Sequence, residues 1–130
     1  MSVEKSREIA ANLERAVASI KAAKDLLKGG YSDFAASRSY YAAFYAATAL
    51  LINEGFQFKK HSAVIAAIHK NFVKTRKLDK NQGKNLNLLF ELRSVGDYGM
   101  MLHVPQEDAA KAIEAAESFL EAAKELIGTR

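Results

Sequence analysis

Between Val3 and Lys28 the apolar residues Ile9, Leu13, Val17, Ile20 and Leu27 recur at three- and four-residue steps, the spacing that draws one stripe down a helix. Gly29 and Gly30 end that helix, because glycine accepts the left-handed backbone that closes a last turn. Ser32 or Asp33 is expected to cap a second helix running from Asp33 to Asn53, with Phe34, Tyr40, Tyr41, Phe44, Tyr45, Leu50, Leu51 and Ile52 along it. Only Ser37, Arg38, Ser39 and Thr48 interrupt its apolar surface. A helix with so little polar surface belongs at the centre of a bundle, and Gly55 gives it an end.

Val64, Ile65, Ile68, Phe72 and Val73 predict a third helix from Ser62 to about Thr75. The polar stretch 79–85 contains Gly83, and Leu86, Leu88, Leu89, Phe90, Leu92 and Val95 then predict a fourth helix reaching Tyr98, with Gly99 as its stop. Pro105, Glu107 and Asp108 suit the first turn of a fifth helix, where acids meet the positive dipole end. Its buried line is Ala109, Ile113, Ala116, Leu120, Ala123 and Ile127. Nowhere do β-branched and polar residues alternate over a strand's length, so the expected fold class is all-α, in a single domain over residues 1–130.

Composition agrees with that pattern and removes several chemistries. The 130 residues are 49% hydrophobic and 26% charged, in the range of a soluble globular chain with one core. Cysteine is absent, which excludes disulfides, thiolate catalysis and cysteine-held zinc or iron–sulfur sites. No basic-then-apolar leader opens the chain, and the longest mostly apolar run, Tyr40 to Ile52, is too short to span a bilayer. A cytoplasmic protein without membrane contact is expected. The formal charge of +4 conceals a dipole: the stretch 59–85 sums to +7 and the stretch 104–130 to −3. The basic stretch, which includes Lys59, Lys60, Lys70 and Lys74, suits either a solvated helix face or contact with phosphates or an acidic partner.

No glycine-rich phosphate loop, dinucleotide fingerprint or His-Glu-x-x-His is present. His61, His69 and His103 do not stand at i, i+4 spacing, so neither a metal nor any other cofactor is expected. Arg93 and Asp97 do stand four apart, on a helix face that also carries Leu86 and Phe90. Charges continuing an apolar stripe are costly when buried singly, and are therefore paired or line a groove or interface. Asp97 also lies near a helix C-terminus, where the dipole disfavours an acid by about 0.3–1 kcal/mol. It calls for a positive neighbour. On the second helix Arg38, Tyr41 and Tyr45 share one face and Ser37, Tyr40 and Phe44 the next. These tyrosines either pack as core or offer their hydroxyls to a ligand. His61, just before a helix start, suits capping or anion contact as well as a plain loop.

Three stretches together resemble one family: Ser-Arg-Ser-Tyr-Tyr-Ala-Ala-Phe-Tyr-Ala-Ala from Ser37, Lys-His-Ser-Ala-Val-Ile from Lys60, and Leu-Arg-Ser-Val-Gly-Asp-Tyr from Leu92. In order and helical placement they resemble the HEPN domain, and within it a small stand-alone prokaryotic branch whose Arg motif ends in Asp-Tyr. The resemblance implies an up-and-down bundle of four long helices plus a shorter one, usually a homodimer. It also implies a minimal nucleotidyltransferase as partner, in a toxin–antitoxin pair, and nucleotide or RNA as ligand. Nuclease-active relatives cut RNA without metal, using an Arg followed after four to six residues by His. In this chain those positions after Arg93 are Tyr98, Gly99 and Met100, and the next histidine, His103, comes after nine. The standard catalytic pair is absent.

Three readings follow. In the first, Arg93, Asp97 and Tyr98 form a binding groove, with Arg38, Tyr41 and His61 as further ligand-binding residues. In the second, the chain is an endoribonuclease in which the Asp-Tyr pair or a distant histidine replaces the usual base. In the third, the same residues lock a helix end and a dimer.

Overall fold

The computed structural model describes residues 2–98 and 102–128, Tyr98 by its backbone alone. It contains α1 (Val3–Lys28), α2 (Ser32–Asn53), α3 (His61–Ile68), α4 (Lys80–Tyr98) and α5 (Gln106–Gly128), with no strand among the described residues. Four long helices run up and down, and α3 with the turn that follows it is the short extra one.

Helix α2 is the centre, packing against α1, α4, α5 and α3. Its alanines explain how: Ala35, Ala36, Ala42, Ala43, Ala46, Ala47 and Ala49 are all buried, and side chains this small let neighbouring helix axes approach closely. Tyr40, Leu50, Leu51, Ile68, Phe72, Leu86, Leu89 and Phe119 fill the remaining space as fully buried side chains. On α1 the buried face is turned slightly from the expected stripe. Ile9 and Ile20 are buried, but Val17 is 47% exposed and Ala16 and Ala23 take the contact, because an alanine facing α2 allows closer packing than a valine would.

Helix ends show where local chemistry departs from expectation. Gly30 and Gly55 do adopt left-handed backbone, with φ +89° and +87°. Neither Ser32 nor Asp33 caps α2, however. Tyr31 occupies the cap position without a side-chain hydrogen bond, and the Asp33 carboxylate turns instead to the connection before α5, accepting from the Val104 N–H and from His103 Nδ1 at 2.7 Å each. The third helix starts at His61 and ends at Ile68, where the expected run to Thr75 widens into a π-helical turn, His69–Val73. Helix α4 starts at Lys80, well before its leucines. Gly83 lies inside it because a Cβ there would stand 3.0 Å from the His69 ring, so the polar stretch is a helix face packed under α3's continuation. Gly99, the expected stop of α4, lies outside the described residues.

Candidate functional site

Arg93 and Asp97 project from the last turns of α4 toward α2. The Arg93 Nε donates to Asp97 Oδ2 at 2.9 Å, with side chains 15% and 25% exposed. This is the positive neighbour that Asp97 requires at a helix C-terminus. A second donor, Nη2, reaches the Tyr41 hydroxyl at 3.1 Å. The guanidinium carbon lies 5.0 Å from the Tyr40 ring centroid and 5.4 Å from that of Tyr41, so the cation rests on two electron-rich ring faces.

Tyr40 and Tyr41 stand side by side yet serve different ends. Tyr40 is 1% exposed, and its hydroxyl meets His61 Nδ1 at 3.2 Å. Burial pushes the Tyr40 phenol up to about 12; the nearby Arg93 charge opposes this and Tyr41 reinforces it. Tyr40 therefore stays protonated at neutral pH. His61 stacks on Phe44 with centroids 3.9 Å apart. Burial, and then the charge of Arg93, hold its imidazole below the ordinary value of 6.5, so it is neutral at pH 7. Arg38, one turn before Tyr41, has its guanidinium carbon 4.9 Å from the Tyr41 centroid. Its Nε is buried with no hydrogen-bond partner among the described residues, an unmet donor of the kind that costs about 1–3 kcal/mol.

The fold thus gathers residues from 38 to 97 onto one face made by α2, α4 and the start of α3. Residues 9–126 match the HEPN domain family. The chain is a HEPN domain protein. A "UPF0332 protein" of Thermotoga maritima is 46% identical over 105 residues, covering 81% of this chain and 80% of that one. A Methanocaldococcus jannaschii protein named as a candidate toxin, MJ0142, is 32% identical over 127 residues, covering 98% and 86%. Among solved structures, TT1696 of Thermus thermophilus superposes with a TM-score of 0.76 at 17% identity, over 91% of this chain and 97% of that chain. The archaeal HEPN homologue ST0689 superposes with a TM-score of 0.73 at 18% identity, over 92% and 97%. Those two likenesses bear on the fold alone.

Of the residues singled out in the sequence, this HEPN fold brings Arg38, Tyr41, His61, Arg93 and Asp97 together. Tyr98 continues α4, and its side chain lies outside the described part. His103 goes elsewhere, to the Asp33 carboxylate at the start of α2. Of the two other face-mates expected for Arg93, Leu86 is buried, whereas Phe90 is 40% exposed and turns its ring edge to Tyr40 at 5.9 Å. The four cavities described are lined by other residues, and Arg93 and Asp97 reach the surface only in part. Sequence reasoning left Tyr40 and Phe44 as core candidates. The link they make from Arg93 to His61 was signalled only by their place one position and one turn away from Tyr41. Among the described residues no three His, Asp or Glu side chains gather as a metal site, and no helix is long and apolar enough to cross a membrane.

Proposed function

We propose that this HEPN protein is the toxin-like half of a cytoplasmic pair with a minimal nucleotidyltransferase, works as a homodimer, and binds nucleotide or RNA phosphate at Arg93. The observation that carries this reading is the Arg93 guanidinium, fixed by Asp97 and Tyr41 on the faces of two tyrosines at a partly exposed surface. Arginine held in one plane suits phosphate oxygens better than a freely turning side chain. Arg38, with its unmet donor on the same face, adds a second cation. The names of the Methanocaldococcus relatives favour the toxin-like role.

A second reading, cleavage of RNA without metal, is favoured by His61. In the tautomer that places its proton on Nδ1, donated to the Tyr40 oxygen at 3.2 Å, its Nε2 is an acceptor at neutral pH. It would take the ribose 2′-hydroxyl proton as that oxygen attacks the phosphorus held by Arg93, the bond to the 5′ oxygen breaking as that oxygen takes a proton from water. Titration calorimetry with mononucleotides and short RNA, together with a pull-down using the purified nucleotidyltransferase, tests the first reading. Arg93→Ala is expected to lower phosphate-ligand affinity at least tenfold. If it lowers only the melting temperature and leaves all binding intact, the residues are structural. Gel assays with mixed RNA separate the second reading: cleavage must vanish in both Arg93→Ala and His61→Ala.

A further inference from the structure

Beyond the Arg93 face, two phenylalanines ask for an explanation. Phe56 and Phe58 sit in the connection between α2 and α3, 36% and 42% exposed, with rings nearly parallel at an interplanar angle of 19° and centroids 6.1 Å apart. They border a cavity of about 370 Å³ that Thr48, Leu51, Gln57 and Lys59 help to line. That volume lies within the roughly 300–1,000 Å³ of small-molecule pockets. Lys59 and Lys60 follow directly and are exposed, and they open the basic stretch of charge +7. His61 comes next and belongs to the Arg93 cluster. Phe58 stands three residues before His61 and Phe56 five, at most about 10 and 18 Å along an extended chain, so the aromatic pair lies within about three nucleotides of His61.

We infer that Phe56 and Phe58 form a base-stacking subsite for single-stranded RNA, with Lys59 and Lys60 on the intervening phosphates, leading the strand to Arg93. Exposed parallel rings beside flexible cations are what a single strand requires, since every base has a face to stack and every link a charge to match. The apolar cavity wall alone would suit a protein side chain equally. The lysines and the short path to His61 favour a polyanion carrying flat rings. The inference rests on the reading of Arg93 as a phosphate site, and extends it to a substrate class and a direction along the surface.

The test uses the full chain and a fluorescent twelve-nucleotide oligoadenylate, with binding read by anisotropy at several salt concentrations. Replacing both rings (Phe56→Ala with Phe58→Ala) should weaken binding about fivefold or more, from the loss of stacking, with the salt dependence unchanged. Phe56→Leu with Phe58→Leu keeps apolar packing and should weaken binding likewise, which protects the result from a folding defect. Tyrosine at both positions should restore it. Lys59→Gln with Lys60→Gln should weaken binding and flatten the salt dependence, by a log–log slope of about 1.4 for two lost contacts on a single strand. If the Leu pair binds within twofold of the parent while Arg93→Ala binds poorly, the stacking subsite is wrong and the Arg93 site stands. If the parent itself fails to bind, the RNA assignment is wrong at both places. Unchanged RNA affinity with loss of nucleotidyltransferase capture overturns the inference and assigns the rings to a protein contact.

Discussion

The Tyr41 hydroxyl and the Arg93 guanidinium meet at 3.1 Å across the seam between α2 and α4, 52 residues apart in sequence. A hydrogen bond to a charged group contributes about 1.5–3 kcal/mol when well sheltered, and this one is partly exposed. Tyr41→Phe is expected to cost about 1 kcal/mol in urea unfolding and to weaken phosphate-ligand binding. Combining it with Arg93→Lys should give less than the sum of the two effects, since the partners are coupled.

His61 provides a pH signature. Its folded-state value lies below 6.5, so between those two values the unfolded chain binds more protons than the folded one, and stability falls as pH is lowered through that window. The contribution is complete above about pH 6.5 and gone below the folded value. His61→Gln should flatten the stability profile there. Because burial and the Arg93 charge both depress the imidazole, Arg93→Ala should raise its midpoint in an NMR titration.

Gly96 is where α4 crosses the start of α2. A Cβ at that position would stand 2.6 Å from the Asp33 carbonyl oxygen, and backbone does not yield as a flexible side chain does. Gly96→Ala is expected to destabilise by about 2–3 kcal/mol, as overpacking does. It should also shift the NMR signals of Arg93 and Tyr41, which depend on the spacing of these two helices.

Arg76 has φ +64° in the turn that follows the π-helical segment, a backbone region that costs a non-glycine residue about 1 kcal/mol. Its N–H still bonds the Val73 carbonyl at 3.0 Å, so the turn itself is sound. Arg76→Gly should raise the melting temperature modestly, an outcome readable by calorimetry. A fall would show that the arginine side chain contributes more than its backbone strain removes.

Much of the bundle was legible in the order of residues, because Ile9, Ile20, Leu50, Leu89, Ile113 and Leu120 obey a helical period strong enough to override weak ends, although the fully buried Phe119 lay outside the expected line of α5. What escaped is tertiary in origin. Gly83 reads as a loop signal, yet its missing side chain makes room for His69. Asp33 reads as a cap, yet Val104 and His103 outbid the nearby backbone for its oxygens. Those contacts, with the charge of His103, also outweigh burial and hold the carboxyl below its ordinary value. Of the site, the Arg93 to Asp97 pair follows from one helical turn of spacing. That His61 joins this cluster and His103 does not depends on where α3 and the connection before α5 come to rest, which no local pattern encodes.

The bond between Arg93 and Asp97 has one more consequence. An arginine side chain free in solution carries about 2 kcal/mol of rotamer entropy, and a surface that must freeze such a group at the moment of contact loses that much affinity. Here a carboxylate one turn along the same helix, and a phenol on the next, immobilise the group during folding. On the proposed reading of Arg93, an arriving phosphate would find its receptor already set, with the conformational cost met when the bundle folds and not at the encounter.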